Sequence, residues 1–246
     1  MTLKSKNVLV TGGSKGIGRA VVVAMAEQGA NVIINYSNDE KGADEAAKVA
    51  AKHSVKTLIV KADITKADEV ADMLKKVKKE FSAIDVLVNS AGIFDENDSP
   101  DSIEAFQNIF ETNFLAQIRV TNETRKLMKN GKIIFVSSIH GKLGHGRPSA
   151  IAYSSMKAAL NSYMKNLARA LAPEILVNAV APGRTMTTQW GEMTEEFKTD
   201  QAAGHLINRW IEPSEIADGV VFLAKNDAVC GEILVIDGGM SLKTFG

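Results

Sequence analysis

Tyr153 and Lys157 lie four residues apart in the run AYSSMKAAL, residues 152–160. On a helix that spacing puts both side chains on one face. A phenol that titrates near pH 10 is a poor base at neutral pH, and a neighbouring ammonium favours the phenolate and lowers that value. Each unit of lowering corresponds to about 1.4 kcal/mol. The pair therefore has the chemistry of a tunable proton donor and acceptor. The same spacing also arises by chance and suits an ordinary surface contact along a helix. Ser138 ends the apolar run KIIFVSS (132–138), where a hydroxyl can donate a hydrogen bond to a substrate carbonyl or cap the next turn. Asn113 falls in the middle of a helical pattern, where asparagine has low propensity. Facing a cleft it could bind water; facing outward it is simply solvated.

A second chemical signal lies at VTGGSKGIGRA (10–20), with four glycines in eleven positions. A β-rich run ends just before it and a helical pattern begins just after. Strand, glycine-rich turn and helix make a pyrophosphate site, because the helix N-terminus presents unpaired N–H groups and partial positive charge. Glycine permits positive φ and close approach of phosphate to backbone. The spacing Gly12-x-x-x-Gly16-x-Gly18 is not that of a P-loop, and it departs from the commoner Gly-x-Gly-x-x-Gly fingerprint. A tight turn with close helix–sheet packing would need similar glycines. Dinucleotide folds that take NAD commonly place an acid at the end of the second strand, about twenty residues on. Here that stretch reads NYSNDE, and Tyr36 occupies the position. Lys15 in the turn and Ser37 after Tyr36 favour a 2′-phosphate, so NADP(H) is expected over NAD(H), which stays possible. Asp39 and Glu40 would oppose this if the strand ran longer. The small residues of NSAG (89–92) let a ligand approach the end of the fourth strand, or form an ordinary turn.

These residues need a scaffold, and the chain supplies an alternating one. Strands are expected at 7–11, 31–36, 56–62, 84–90, 132–138, 175–181 and 232–237. Several are nearly continuous in Val, Ile and Leu, which suits strands covered on both faces. Helices are expected near 16–28, 39–52, 66–80, 100–128, 151–172 and 213–225. Ser99-Pro100 and Thr65 mark helix starts, and Gly29 and Gly131 sit where helices should stop. The alternation predicts an α/β fold, a doubly wound seven-stranded parallel sheet with helices on both faces, in one domain spanning 1–246. Residues 183–212 separate the sixth strand from the next clear helix and carry both tryptophans, Trp190 and Trp210. A segment of that length beside the carboxyl ends of the strands is a candidate substrate lid, or else a packing insertion.

Composition narrows the classes of function. The 246 residues suffice for one large α/β domain with a buried core. Lys plus Arg (29) balance Asp plus Glu (29), so no global field draws nucleic acid or an anionic membrane. The single cysteine, Cys230, excludes an internal disulfide and a thiolate cluster. The four histidines show no zinc-ligand spacing, and no metal is expected. No apolar run reaches membrane-spanning length, and the start MTLKSKNVLV lacks a signal-peptide core, so a soluble, cytoplasmic protein is expected.

Taken in order, the motifs resemble the short-chain dehydrogenase/reductase family, over essentially the whole chain. The family's Thr-Gly-x-x-x-Gly-x-Gly corresponds to Thr11–Gly18, and its aspartate after the third strand to Asp63 in ADIT. Its Asn-Asn-Ala-Gly motif corresponds to Asn89-Ser90-Ala91-Gly92, with serine in second place. Asn113, Ser138, Tyr153 and Lys157 match its catalytic positions, and Pro182-Gly183 and VIDGG (235–239) match the ends of its last two strands. The resemblance implies a single-domain Rossmann fold and an NAD(P)-dependent oxidoreductase acting on a carbonyl or alcohol. It implies Tyr153 as the general acid in reduction, Ser138 bonded to the same carbonyl oxygen, and Lys157 lowering the Tyr153 pKa and binding the nicotinamide ribose. Asn113 would hold a water that relays protons to Lys157. Cofactor contacts are expected from Gly12, Ser14, Lys15, Gly16, Ile17, Gly18, Tyr36, Ser37, Asp63, Ile64, Asn89, Ala91, Gly92, Tyr153, Lys157, Pro182, Gly183, Thr185 and Thr187. Thr185 stands where the family usually has an apolar residue. Ser138 and Tyr153 are fifteen apart, so the intervening loop is expected to be longer than usual. Ser137 competes for the serine's place, and the following Gly141 favours Ser138.

Within the family, the length and the ending NRWIEPSEIADGVVFLA…GEILVIDGG resemble bacterial 3-oxoacyl-[acyl-carrier-protein] reductases, which implies an acyl-thioester substrate. Reductases of sugars, steroids and other alcohols share these features. An acidic carrier would want basic residues by the cleft, for which Lys126, Lys129 and Arg169 are candidates. His140, His145 and Arg147 could meet a polar or anionic substrate. An enoyl reductase of the same fold typically has a longer Tyr–Lys spacing. A non-catalytic dinucleotide sensor is the remaining alternative, though all four catalytic positions are filled. The resemblance also implies a homotetramer.

Overall fold

The computed structural model of the chain describes residues 1–142 and 148–243. His145, Arg147 and the end of the C-terminal tail lie outside the described residues. Seven strands form one sheet: β1 (Asn7–Thr11), β2 (Asn31–Tyr36), β3 (Thr57–Lys61), β4 (Val86–Asn89), β5 (Gly131–Val136), β6 (Ile175–Pro182) and β7 (Ile233–Ile236). Their order is β3-β2-β1-β4-β5-β6-β7, and every pairing is parallel. The helices are α1 (Gly16–Glu27), α2 (Glu40–Ala51), α3 (Ala67–Glu80), α4 (Ile103–Phe110), α5 (Ala116–Arg125), α6 (Ile151–Leu171), α7 (Glu195–Ala203) and α8 (Pro213–Lys225). This is the doubly wound Rossmann arrangement that the strand–helix alternation predicts.

The apolar strands alternate their side chains between two cores. Ile33, Leu9, Leu87, Ile133 and Val177 stand in register across five strands and face α3, α5 and α6. Their neighbours Val8, Val10, Val32, Ile34, Val86, Val88 and Ile134 face α1, α2 and α8. Both faces are dry, which is why the strands read as unbroken Val/Ile/Leu runs. Order reverses between β1 and β4, and a parallel sheet opens its ligand crevice at the carboxyl ends beside such a switch point.

Several boundaries differ from the sequence expectation. The helix expected at 100–128 is interrupted: α4 and α5 are joined by a single π-turn, Glu111–Leu115, which contains Asn113. Ser102, not Ser99, caps α4, its hydroxyl accepting the Ala105 N–H at 3.3 Å. The chain first closes a turn from Ser99 to Ser102, which uses up Pro100. Thr65 does not cap α3; its N–H and hydroxyl both go to Asp63. Gly131 opens β5 instead of ending a helix, paired with Ile175 of β6, and a Cβ there would stand 2.1 Å from the Asp85 carbonyl oxygen. β5 stops at Val136, so Ser137 and Ser138 lie just past the strand. The segment 183–212 contains an unforeseen helix, α7, whose start Thr194 caps by accepting the Phe197 N–H. Among the described residues no helix is long and apolar enough to cross a membrane.

Candidate active site

The floor of the site is the junction of β1 and β4. The Thr11 hydroxyl oxygen accepts the N–H groups of Ser90 and Ala91 at 3.0 and 3.1 Å, locking the two strand ends together. Gly12 has φ +65°, and a Cβ on it would stand 2.9 Å from the Ala91 Cα. A Cβ on Gly18 would stand 2.1 Å from the Gly12 carbonyl oxygen, so the turn folds tightly onto the start of α1. Lys15 precedes that helix with no side-chain cap, and its first turn carries no acid. The helix therefore offers free N–H groups and its positive end across a glycine cradle, which fits a dinucleotide pyrophosphate. Ser14 is buried in the turn, and Ile17 packs against the core from the first turn of α1. Asn89 donates to the Thr121 hydroxyl at 3.0 Å, while its buried Oδ1 has no partner among the described residues.

The edge toward β2 and β3 holds the residues expected to face the adenosine. Tyr36 ends β2 and is 6% exposed; burial and the Glu40 carboxylate hold its phenol above the ordinary value. Asp39 caps α2, its carboxylate accepting the Gly42 N–H at 2.9 Å. Ser37 is half-buried beside Tyr36. Lys15 is exposed, and no carboxylate pairs with it among the described residues. Asp63 turns one oxygen onto the N–H and hydroxyl of Thr65, and Ile64 beside it is buried.

Toward β5 lie the candidate catalytic residues, of which Lys157 meets the Tyr153 ring and Gly92 stands next to both Lys157 and Asn113. Lys157 is 4% exposed, and its ammonium donates to the Val136 carbonyl at 2.8 Å. Burial lowers its pKa from 10.5 to about 8. The ammonium lies 5.5 Å from the centre of the Tyr153 ring. Phe94 and His140 flank that ring, at centroid distances of 5.3 and 6.1 Å. Ser138 is buried at the start of a short 3-10 turn and accepts the His140 N–H at 3.2 Å. Ser137 is turned away: its hydroxyl donates to Asn161 at 2.6 Å, and Asn161 in turn donates to the Gly141 carbonyl. Asn113 is fully buried and pairs both ends of its amide with the backbone of Ile93, at 2.8 Å each. A Cβ on Gly92 would stand 2.8 Å from the Asn113 Oδ1 and 4.0 Å from the Lys157 Nζ, which brings the NSAG loop against both.

The segment after β6 closes the remaining side. Pro182 ends β6, and a Cβ on Gly183 would stand 2.8 Å from Asp237 Cα, at the end of β7. Thr185 is buried, donates to the Gly183 carbonyl and bridges to Ile211. The Thr187 methyl lies 3.4 Å from where a Cβ on Gly16 would be, so the segment reaches back over the glycine turn. Trp190 and Trp210 meet edge to face at 5.3 Å. Their indole N–H groups donate to the carbonyls of Thr185 and Lys198, both at 2.9 Å.

Two features of the site escape a reading of motifs. Asp98 is a buried carboxylate that accepts the N–H groups of Ala152 and Tyr153, at 2.9 and 3.0 Å. Its signal in the sequence is one acid among three in DEND (95–98). Asn161 lies one turn beyond Lys157 and selects between the serines. Conversely, Lys126 and Lys129 are not by the cleft. They follow the end of α5 and precede the first residue of β5, which puts them at the amino ends of the strands, as Arg169 is at the end of α6. Helices of this fold run back antiparallel to the strands, so their last turns lie opposite the crevice. No cluster of metal-ligating side chains occurs among the described residues.

Comparison with known proteins agrees with the fold. Residues 12–241 match a family model described as enoyl-(acyl carrier protein) reductase. The 3-oxoacyl-[acyl-carrier-protein] reductase of Synechocystis is 34% identical over 247 residues, covering 97% of this chain and 98% of that protein. The corresponding reductase of Staphylococcus epidermidis is 32% identical over 243 residues, covering 96% and 99%. Among solved structures, a variant of actinorhodin polyketide ketoreductase with NADPH superposes with a TM-score of 0.89 at 28% identity, covering 96% of this chain and 97% of that one. The fold, the ordered motifs and these full-length likenesses place the chain in the short-chain dehydrogenase/reductase family of NAD(P)-dependent oxidoreductases.

Proposed function

We propose that the protein is an NADP(H)-dependent reductase of a ketone, with a 3-oxoacyl thioester as its substrate class. The observation that carries the reductase reading is the buried Lys157 ammonium beside the Tyr153 ring, with Gly92 next to the ammonium. When bound, the nicotinamide supplies the hydride. Tyr153 donates its proton to the carbonyl oxygen, and Ser138 donates a hydrogen bond to the same oxygen as charge develops on it. Lys157 favours the resulting phenolate and would hold the nicotinamide ribose hydroxyls. Asn113 has its amide committed to Ile93, so it fixes the NSAG loop, and a water relayed to Lys157 would rest on the backbone of its π-turn. Gly12, Ser14, Gly16, Ile17 and Gly18 would cradle the pyrophosphate. Asp63, Ile64, Asn89 and Ala91 would line the adenosine side, and Pro182, Gly183, Thr185 and Thr187 the nicotinamide side.

The NADP(H) preference is supported by an exposed Lys15, by Ser37, and by Asp39 being spent on α2. The thioester class is supported by the names of the curated relatives. It is also supported by Phe197, Leu206 and Ile207, which leave apolar surface exposed on the segment 183–212. In this reading that segment is the substrate lid of one domain. The Tyr–Lys spacing of four speaks for ketone over enoyl reduction. A second reading, reduction of a small polar ketone or sugar, is favoured by the His140 imidazole against the Tyr153 ring. The working form would be a cytoplasmic homotetramer, which exposed Ile103 and Phe110 on α4 suit. The test is initial-rate profiling with NADPH and NADH against acetoacetyl thioesters, simple ketones and ketose sugars. A thioester kcat/KM at least about tenfold above the other classes supports the proposal; a preference for a sugar overturns the thioester assignment.

A further inference from the structure

Between β4 and α4 the chain crosses the site as an irregular strap, residues 93–98. Side chains of the helical layer tie it down. Asn113 holds the N–H and carbonyl of Ile93. Asp95 accepts the Asn97 N–H at 3.0 Å and the Asn108 amide of α4 at 3.1 Å. The Asp95 carbonyl then accepts the N–H of Asp98 at 3.1 Å, and this turn aims the Asp98 side chain inward. Asp98 is 4% exposed, and each of its oxygens takes one N–H from the first turn of α6. One of those two residues is Tyr153 itself. From the same strap, the Phe94 ring packs on the Tyr153 ring.

A helix leaves its first N–H groups without intrahelical partners, and the residue just before it ordinarily supplies a cap. Ala150 precedes α6 and has no side chain that can do so. The cap arrives instead from 54 residues away in sequence. A local serine would satisfy one of these N–H groups, but it would leave α6 unconnected to the loop that carries Gly92. A carboxylate also does what an amide cannot: both of its oxygens accept, whereas an asparagine would turn its NH2 toward one of the two N–H groups.

We propose that Asp98 is a positioning residue for Tyr153. It fixes the register of the first turn of α6, and through it the phenol relative to Lys157 and Ser138. Phe94 holds the other end of the same side chain. The inference rests on the reading of Tyr153 as proton donor. Displacements of about 1 Å at a reacting group are enough to cost on the order of a hundredfold in rate.

The test compares Asp98→Ala and Asp98→Asn with the wild-type chain, using NADPH and an acetoacetyl thioester. Asp98→Ala should lower kcat by roughly 10- to 100-fold, with KM and NADPH affinity within about twofold of wild type. Asp98→Asn keeps one acceptor and should recover part of the loss. The solvent deuterium isotope effect on kcat should rise, because proton transfer from a displaced phenol becomes slower. Hydrogen exchange should speed up in a peptide covering 150–156, while one covering 157–165 stays protected. An unchanged kcat overturns the proposal. So does an equal loss of exchange protection along all of α6, or an Asp98→Asn variant no faster than Asp98→Ala. If Asp98→Ala does not fold, the isosteric Asp98→Asn decides alone: it must show the lower kcat, the larger isotope effect and the local exchange. A Tyr153→Phe variant as fast as wild type would instead sink the underlying reading of Tyr153, and the exchange measurement distinguishes that failure from a fault in the Asp98 cap.

Discussion

The Lys157 ammonium lies 5.5 Å from the centre of the Tyr153 ring and gives a 2.8 Å hydrogen bond to the Val136 carbonyl. One turn of helix supplies the spacing, and the carboxyl end of β5 supplies the anchor. The cation is thus held dry, within reach of the phenol whose charged form it favours.

That arrangement has a cost in stability that depends on pH. Burial lowers the Lys157 pKa from 10.5 to about 8. Between those values the unfolded chain binds a proton that the folded chain does not, so this group's penalty is full below pH 8 and fades toward 10.5. Lys157→Met should abolish turnover yet leave the protein as stable as wild type, or more so, at pH 7. The stability difference between the variant and wild type should shift by up to about 3 kcal/mol in favour of wild type by pH 10.5. Urea unfolding of both proteins across pH 7–10 measures it; a flat difference would contradict the assigned shift.

The two adjacent serines should separate function from stability. Ser138→Ala removes the hydroxyl proposed to bond the substrate carbonyl and should lower kcat by on the order of a hundredfold. Ser137→Ala leaves Asn161 with a buried unpaired oxygen, which should cost about 1–3 kcal/mol while most of the activity remains. Thermal melts paired with initial rates would reveal the reverse pattern if the assignment is wrong.

Lys15→Ala should weaken NADPH binding about tenfold, the scale of one charge-assisted hydrogen bond, and leave NADH nearly untouched. Fluorescence titration at low and high salt reads both affinities. Equal losses for the two cofactors would argue against a 2′-phosphate contact.

The only two tryptophans of the chain, Trp190 and Trp210, both lie in the segment 183–212. Intrinsic tryptophan emission therefore reports on that segment alone. If it closes as a lid, NADPH with substrate should shift the emission, and Trp190→Phe should raise KM by roughly threefold or more. Emission that ignores both ligands would leave the segment a packing insertion.

The sheet was legible because parallel strands buried on both faces leave little ambiguity in runs such as NVLVT and NVIINY. The site was legible where chemistry sits on regular elements: the glycines at the start of α1, and the four-residue step from Tyr153 to Lys157. Features made by tertiary contacts were hidden. The π-turn around Asn113 shows no change in residue type, and the pairing of the Asn113 amide with Ile93 is a contact made only in the folded chain. Asp98 reads as one more loop acid until α6 is placed above it. The helix α7 buries no residue of its own, so it carries no apolar stripe by which to find it. Charge alone suggests Lys126, Lys129 and Arg169 for the cleft, but it does not tell which end of the sheet a helix C-terminus must reach.

The most direct measurement follows nicotinamide absorbance with acetoacetyl thioester and NADPH, comparing wild type with Tyr153→Phe. The variant should lose about 10²–10⁴-fold in kcat, the range expected for one positioned proton donor, while binding NADPH as tightly as wild type. A variant that oxidises NADPH at a near-normal rate would contradict the assignment of Tyr153, and with it the proposed chemistry of the site.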